Sequence, residues 1–233
     1  MIKMALRQTR RWVKWFKQNR ALDTISTMEE FQKYIELTQP DFFSYHESNS
    51  LQRRRSFQAV VEKLRLPIRD KTVLDIGPGH GEMLDICHEL GAKNIHFVEW
   101  YPLFYAYNRL KGFTKGYCIN HLWRLRILES SKYDLIWARG SFQMDPVLNN
   151  PLLFSIEDWI NQVERIAAPG GWILICPYFC ADDLKRRIDA YHNRFTETML
   201  QRGFTILDKI EDHNTEPYYP VTFFKIAGMP ART

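Results

Sequence analysis

Three closely spaced glycines are the feature of this sequence with the clearest chemical potential. Gly77, Gly79 and Gly81 stand in the run VLDIGPGHG, residues 73–81. Glycine adopts backbone conformations that other residues avoid, and it lets a ligand approach the main chain closely. A helix is predicted directly after the loop, and its first amide groups and positive dipole end favour an anion. The loop is therefore predicted to hold an anionic group of a ligand.

An acidic residue follows the loop at a spacing typical of nucleoside sites. Glu99 lies 22 residues beyond Gly77, at the end of the next predicted strand. A carboxylate in this place accepts hydrogen bonds from the ribose hydroxyls of an adenine nucleoside. Trp100 comes next and is placed to stack on the adenine. Loop and carboxylate together predict a nucleoside-binding site.

The residues of the loop itself favour one class of nucleoside. Nicotinamide dehydrogenases also combine a glycine turn with a distant acid, but in the spacing G-x-G-x-x-G, whereas this loop reads G-P-G-H-G. Asp75 stands immediately before the loop, where a carboxylate would crowd a pyrophosphate. A zwitterionic methionine group has an ammonium that Asp75 could hold, directly or through the turn. A carboxylate at position 75 therefore favours a methyl donor with a positively charged ammonium over a dinucleotide with a negatively charged pyrophosphate.

The elements that position these residues alternate between strand and helix from residue 72 onward. The predicted strands are Thr72–Ile76, Asn94–Val98, Tyr117–Ile119, Tyr133–Ala138, Trp172–Cys176, Phe204–Ile210 and Thr222–Ile226. The predicted helices are Met28–Leu37, Leu51–Leu66 with Asn49 or Ser50 as its cap, Glu82–Leu90, Leu103–Leu110, Leu122–Leu128, Ile156–Ala167 and Asp182–Gln201.

This order predicts an α/β fold. Strict βαβ alternation requires a parallel sheet with helices on both faces. Residues 211–221 contain no crossover helix, so the last two strands are expected to form an antiparallel hairpin at the sheet edge. We expect a doubly wound, mostly parallel, seven-stranded, Rossmann-like sheet. Residues 1–69 would form a basic arm and helical lid, and residues 70–233 the nucleoside-binding domain.

The run at 73–81 resembles the first motif of the class I S-adenosylmethionine-dependent methyltransferases. Residues 98–99, 133–136 and 169–174 resemble later elements of that family in the same order, over about residues 70–228. The resemblance implies S-adenosylmethionine as the cofactor and methyl transfer as the activity. It implies donor-binding roles for Asp75, Gly77, Gly79 and Glu99, with Trp100 beside the adenine, Asn120 at the adenine amino group, and Arg139 and Ser141 near the methionine end.

Methyl transfer from a sulfonium is an in-line displacement, so such an enzyme mainly supplies orientation and a dry pocket. An oxygen or nitrogen nucleophile can also need a base. Tyr178, His46 and His121 are the candidates by position, although an ordinary structural role is favoured for each. Residues 138–142 read ARGSF, which departs from the Asn/Asp-Pro-Pro-aromatic motif of enzymes that methylate nucleobase amines. The cysteines have no metal-ligand spacing, so no metal site is predicted.

Positive charge is concentrated at the N-terminus. Residues 1–20 contain seven basic residues and no acid, which leaves 25 basic against 27 acidic residues elsewhere. The body of the protein is therefore not a general polyanion binder, and nucleic acid is disfavoured as a partner. The arm interleaves Trp12 and Trp15 with these charges. A helix that packs on the domain or on a second subunit is favoured for it, ahead of peripheral membrane contact and then of nucleic-acid contact through arginine and aromatic stacking.

These observations predict an enzyme that methylates a small molecule, with a hydroxyl of a sugar, lipid precursor or secondary metabolite as the leading acceptor. A nicotinamide-dependent oxidoreductase and a methyltransferase-like adaptor without turnover are the alternatives. No apolar run approaches the roughly 20 residues that span a bilayer, and no signal peptide is recognised. A cytoplasmic location is expected.

Overall fold

The computed structural model describes residues 17–118, 122–139, 156–176, 194, 197–211 and 220–226. Its helices are α1 (Met28–Thr38), α2 (Asp41–Leu64), α3 (Glu82–Glu89), α4 (Pro102–Leu110), α5 (Ile156–Ile166) and a 3₁₀ helix (Leu122–Ile127). Its strands are β1 (Thr72–Ile76), β2 (Asn94–Glu99), β3 (Gly116–Cys118), β4 (Tyr133–Arg139), β5 (Ala167–Cys176), β6 (Phe204–Glu211) and β7 (Pro220–Ile226). Within these ranges no helix has the length and apolar character needed to cross a membrane.

The strands form one sheet in the order β3-β2-β1-β4-β5-β7-β6. Strands β1 to β5 run parallel, as βαβ alternation requires, and this part of the predicted fold is confirmed. Strand β7 pairs antiparallel with both β5 and β6. Residues 212–219, which connect β6 to β7, lie outside the described residues, so the hairpin connection stays a prediction.

Alternate residues of the central strands face two separate hydrophobic clusters. In β1, Val73 belongs to a cluster that includes Phe57 of α2 and Ile86 of α3. The next residue, Leu74, belongs to a second cluster that includes Ile160 of α5. Successive side chains of a strand point to opposite faces of its sheet. Helices therefore cover both faces.

A third hydrophobic cluster joins the N-terminal helices to α4. Phe31 and Ile35 of α1 are fully buried in it and pack with Leu103 of α4. Helix α1 begins at a capping box, in which Thr27 and Glu30 each accept a hydrogen bond from the other's backbone amide. The N-terminal layer is thereby placed against the helix that follows β2.

Helix α2 begins earlier than the sequence pattern predicts. The sequence pattern predicts a start at Leu51, with Asn49 or Ser50 as the cap, but the helix begins at Asp41 directly after Pro40. That prediction is wrong because the proline already has helical dihedrals, with φ −58° and ψ −26°. A proline fits the start of a helix, where its missing N–H would have no partner within the helix.

Candidate functional site

The carboxyl ends of the central parallel strands lie together at one edge of the sheet. Strand β1 pairs with β2 so that Ile76 lies opposite Val98, and with β4 so that Ile76 lies opposite Ala138. Gly77 therefore begins its loop beside Glu99, the last residue of β2. In open α/β sheets this edge is where ligands bind.

The glycine loop is built on left-handed backbone conformations. Gly77, Gly79 and Gly81 have φ values of 74°, 57° and 82°. The N–H of Gly77 donates to the carbonyl of Val98 at 2.7 Å, and the N–H of Gly81 donates to the carbonyl of Pro78 at 3.0 Å. A Cβ atom placed on Gly79 would meet no atom of the described residues within 4 Å. The loop is thus a closed turn with open space beside its central glycine.

Glu99 connects the end of β2 to this loop through three hydrogen bonds. Its Oε1 accepts from the N–H of Trp100 at 2.8 Å and of Tyr101 at 3.0 Å, and its Oε2 accepts from the N–H of Gly79 at 3.1 Å. Burial raises the pKa of this carboxyl to about 7, although the three amide donors oppose the rise. Glu99 is therefore an acceptor group fixed at the mouth of the loop.

Asp75 is a second buried carboxyl close to the first. Its side chain is only 2 % exposed, and its Oδ1 has no hydrogen-bond partner among the described residues. Burial, together with the nearby charges of Glu99 and Glu82, raises the pKa of Asp75 well above its usual range. A buried carboxyl with an unpaired oxygen is a favourable place for a cationic ligand group.

These features fit the methyl donor. S-adenosylmethionine carries a sulfonium and an ammonium for which the unpaired oxygen of Asp75 is suited. The carboxylate of Glu99 has the chemistry to accept hydrogen bonds from ribose hydroxyls, and Gly79 has space beside it among the described residues. In the part of the chain that the structure describes, no group of three His, Cys, Asp or Glu residues is placed to hold a metal ion.

The structure brings five of the predicted site residues together: Asp75, Gly77, Gly79, Glu99 and Trp100, which packs half-buried beside the sheet. The side chains of the other six predicted site residues are outside the described part of the structure. Asn120, His121, Ser141 and Tyr178 lie outside the described residues. His46 lies in α2 and Arg139 ends β4, but their side chains are outside the described set.

The sequence profile of the family described as "Methyltransferase domain" matches residues 49–208. The chain belongs to this family. The match begins within α2 and ends within β6, so it includes both buried carboxyls and the glycine loop.

Solved structures show the same fold. A methyltransferase from Aquifex aeolicus that depends on S-adenosylmethionine superposes with a TM-score of 0.59 at 14% identity, over 80% of this chain and 97% of the other. An S-adenosylmethionine-dependent methyltransferase from Mesorhizobium loti gives a TM-score of 0.53 at 15% identity, over 70% and 94% of the two chains. None of the curated proteins matches by sequence. The predicted family, enzyme class and cofactor are confirmed: this is an S-adenosylmethionine-dependent methyltransferase.

Sequence reasoning missed two polar side chains of the methyltransferase that contact the glycine loop. Asn108 donates to the carbonyl of Gly79, and Lys111 donates to the carbonyl of His80. Their spacing could have predicted this contact. Residues three apart lie on the same face of a helix, and this helix follows the end of β2, beside the loop.

Proposed function

We propose that the methyltransferase passes the methyl group of S-adenosylmethionine to a hydroxyl of a small molecule, such as a sugar, a lipid precursor or a secondary metabolite. The observation that carries the donor site is the pair of buried carboxyls, Asp75 and Glu99, beside an open glycine loop. The sequence lacks the motif of nucleobase amine methylation after β4, which argues against a nucleobase acceptor, and among small acceptors we propose a hydroxyl.

The donor, when bound, supplies an electrophilic methyl group on its sulfonium. Glu99 would accept hydrogen bonds from the ribose hydroxyls, and Asp75 would hold the ammonium of the methionine portion, directly or through the turn. Gly77 and Gly79 would let the methionine end approach the backbone, with Trp100 beside the adenine. Four further positions complete the proposal: Asn120 at the adenine, Arg139 and Ser141 at the methionine end, and one of Tyr178, His46 and His121 as the base.

Internal ion pairs support a small acceptor over a nucleic acid. Arg53 and Arg54 stand in a run of three arginines on α2 that could have formed a basic patch. Arg53 instead pairs with Glu82 at 2.8 Å, and Arg54 pairs with Glu89. An arginine whose charge is matched within the protein adds little to phosphate binding.

The remaining parts of the proposal concern the whole chain. Residues 70–233 would form the donor-binding domain, closed by a hairpin of β6 and β7. Residues 1–69 would form the arm and lid, with residues 1–20 available for self-association or peripheral membrane contact. We place the enzyme in the cytoplasm.

The test is thermal unfolding of the purified protein alone and with S-adenosylmethionine, S-adenosylhomocysteine or NADH. A ligand at about 100 times its dissociation constant stabilises by roughly 2.7 kcal/mol, which raises Tm by about 5–10 °C in a domain of this size. Both sulfur ligands should raise Tm and NADH should not. The rise should shrink in Glu99→Ala and persist in Glu36→Ala, which removes an exposed glutamate of α1.

Three outcomes would change this proposal. No response to either sulfur ligand at millimolar concentration would overturn the donor site. A response to NADH alone would favour an oxidoreductase. Donor binding without turnover of any hydroxyl compound in a broad acceptor screen would favour a methyltransferase-like adaptor.

A further inference from the structure

The end of α4 holds the glycine loop by two successive carbonyl groups. Asn108 Nδ2 donates to the carbonyl of Gly79 at 2.7 Å and to the carbonyl of Phe104, in its own helix, at 2.9 Å. One turn later, Lys111 Nζ donates to the carbonyl of His80 at 3.0 Å. Two neighbouring peptide groups of the loop are therefore tied to one helix.

The amide of Asn108 is buried, its nitrogen is held by two hydrogen bonds, and its oxygen has no hydrogen-bond partner among the described residues. The side chain is 0 % exposed. Its nitrogen makes the two hydrogen bonds to carbonyls, and its oxygen faces Gly81, where an added Cβ would lie only 2.0 Å from Oδ1. Only a glycine permits this approach, which is a second reason for Gly81 besides its positive φ. The hydrogen bond to Gly79 and the close approach to Gly81 connect Asn108 to two residues of the loop.

Lys111 is held by several contacts besides its hydrogen bond to the loop. Its ammonium also donates to Asp85 Oδ2 at 2.6 Å. It lies 5.5 Å from the centre of the Tyr107 ring and 5.7 Å from that of Phe113, which are distances for cation–π contact. The side chain is 19% exposed. It therefore acts as a fixed donor to the carbonyl of His80.

Tying these carbonyls also sets the direction of the amides that follow them. A trans peptide is planar, and its C=O and N–H point in opposite directions. The carbonyl of Gly79 points to α4, so the N–H of His80 points away from α4. The same helix begins directly after Trp100 and Tyr101, whose amides hold Glu99. Helix α4 thus connects the ribose acceptor with the glycine loop.

We propose that Asn108 and Lys111 are positioning residues that preset the glycine loop for the methionine portion of the donor. This inference rests on the proposed donor site. Neither side chain acts on the methyl group. They contribute to the affinity for the amino-acid end of the ligand. Without them, part of the binding free energy would be spent on ordering the loop around that end.

The test compares two ligands by calorimetric titration of the full chain. S-adenosylhomocysteine contains the amino-acid portion, and 5′-methylthioadenosine lacks it. Asn108→Ala and Lys111→Met should each raise Kd for S-adenosylhomocysteine about tenfold, as expected for one lost hydrogen bond to the backbone, and raise Kd for methylthioadenosine less than about twofold. A merely structural role would weaken both ligands equally.

Arg109→Met is the matched control. Arg109 lies between the two residues on the same helix and also donates to two backbone carbonyls, those of Leu22 at 3.2 Å and Ile25 at 2.8 Å. These carbonyls belong to the N-terminal layer and not to the loop. The control should therefore leave both dissociation constants within about twofold of wild type, although it removes comparable hydrogen bonds.

The outcomes separate this inference from the function on which it rests. If wild type binds neither ligand, the proposed donor site fails. If wild type binds both and the two variants lose affinity for both equally, or for neither, the positioning role is overturned. If Asn108→Ala does not fold, Lys111→Met decides the question by the same comparison, because its side chain lies nearer the surface.

Discussion

Asp75 and Glu99 are both buried carboxyls, but they are satisfied very differently. Glu99 accepts three backbone amides, whereas Asp75 has an oxygen without a partner in the described part of the chain. An unpaired buried acceptor lowers stability until a ligand occupies it. Asp75 therefore lowers the free energy of unfolding of the donor-free enzyme, and a cationic donor group bound there would remove this cost.

Asp75→Asn should therefore stabilise the donor-free enzyme and weaken donor binding. Burial and two neighbouring carboxylates raise the pKa of Asp75, so its charged form is disfavoured in the folded state. We expect the variant to exceed wild type in free energy of unfolding by on the order of 1–3 kcal/mol at pH 8. Urea unfolding without ligand measures this gain, and titration with S-adenosylmethionine measures the loss of affinity.

The pH dependence of this gain follows from linkage. A carboxyl whose folded pKa is raised binds more protons when folded, so wild-type stability falls as pH rises from the unfolded pKa towards the folded one. The advantage of Asp75→Asn should thus be smaller at pH 5 than at pH 8. Burial also lowers the pKa of His96 to about 4, an effect of opposite sign, but it is common to both proteins and cancels. A variant less stable than wild type at pH 8 would contradict the argument.

At the scale of elements, two neighbouring arginines of α2 form ion pairs with α3. One pair is buried and the other is exposed to solvent. The side chain of Glu82, the partner of Arg53, is 6% exposed, while that of Glu89, the partner of Arg54, is 54% exposed. Removing one member of a buried pair leaves a charge without compensation, whereas an exposed pair is screened by water. The two pairs should therefore differ strongly in their effect on stability.

Arg53→Met should lower the free energy of unfolding by about 2–4 kcal/mol, since it leaves the Glu82 carboxylate buried without its main partner. Arg54→Met, its matched control one residue away, should lower it by less than about 1 kcal/mol. Urea unfolding of both variants at neutral pH and moderate salt checks the difference. Equal effects would mean that the burial of Glu82 does not govern the attachment of α2.

At the scale of the whole molecule, the N-terminal layer and the sheet share one hydrophobic cluster. Phe57, Val60 and Val61 of α2, with Leu66 and Ile68 after it, pack in the same cluster as β1 and β4. Fully burying one such side chain contributes about 1.5–3 kcal/mol, and a domain is stable by only about 5–15 kcal/mol in total. The proposed division at residue 70 therefore does not define two units that fold separately.

A chain of residues 70–233 should consequently lack a cooperative unfolding transition and a response to S-adenosylhomocysteine. A chain of residues 17–233 keeps the residues of all three hydrophobic clusters and should bind S-adenosylhomocysteine within about twofold of the full chain. Thermal unfolding and calorimetric titration distinguish the two. A shorter fragment that unfolds cooperatively and binds the ligand would show that the helical layer is dispensable.

Much of the fold and of the donor site follows from local patterns in the sequence. The parallel direction of the first five strands follows from βαβ alternation, and Glu99 stands out by its spacing from the glycine loop. The sequence pattern does not predict the start of α2, because the helix begins at Asp41 directly after a proline and residues 41–50 show no clear helical period. The methyl acceptor depends on loops whose shape no periodic pattern encodes.

The sequence alone determined the family, the methyl donor and the residues of the glycine loop, because these depend on residue types at fixed short spacings. Only the tertiary structure showed that an oxygen of Asp75 has no partner among the described residues, that Arg53 is matched by Glu82 and that Asn108 donates to the carbonyl of Gly79. Each of these is a contact between residues tens of positions apart or a degree of burial. Such contacts arise when separate elements pack together, so no local pattern records them.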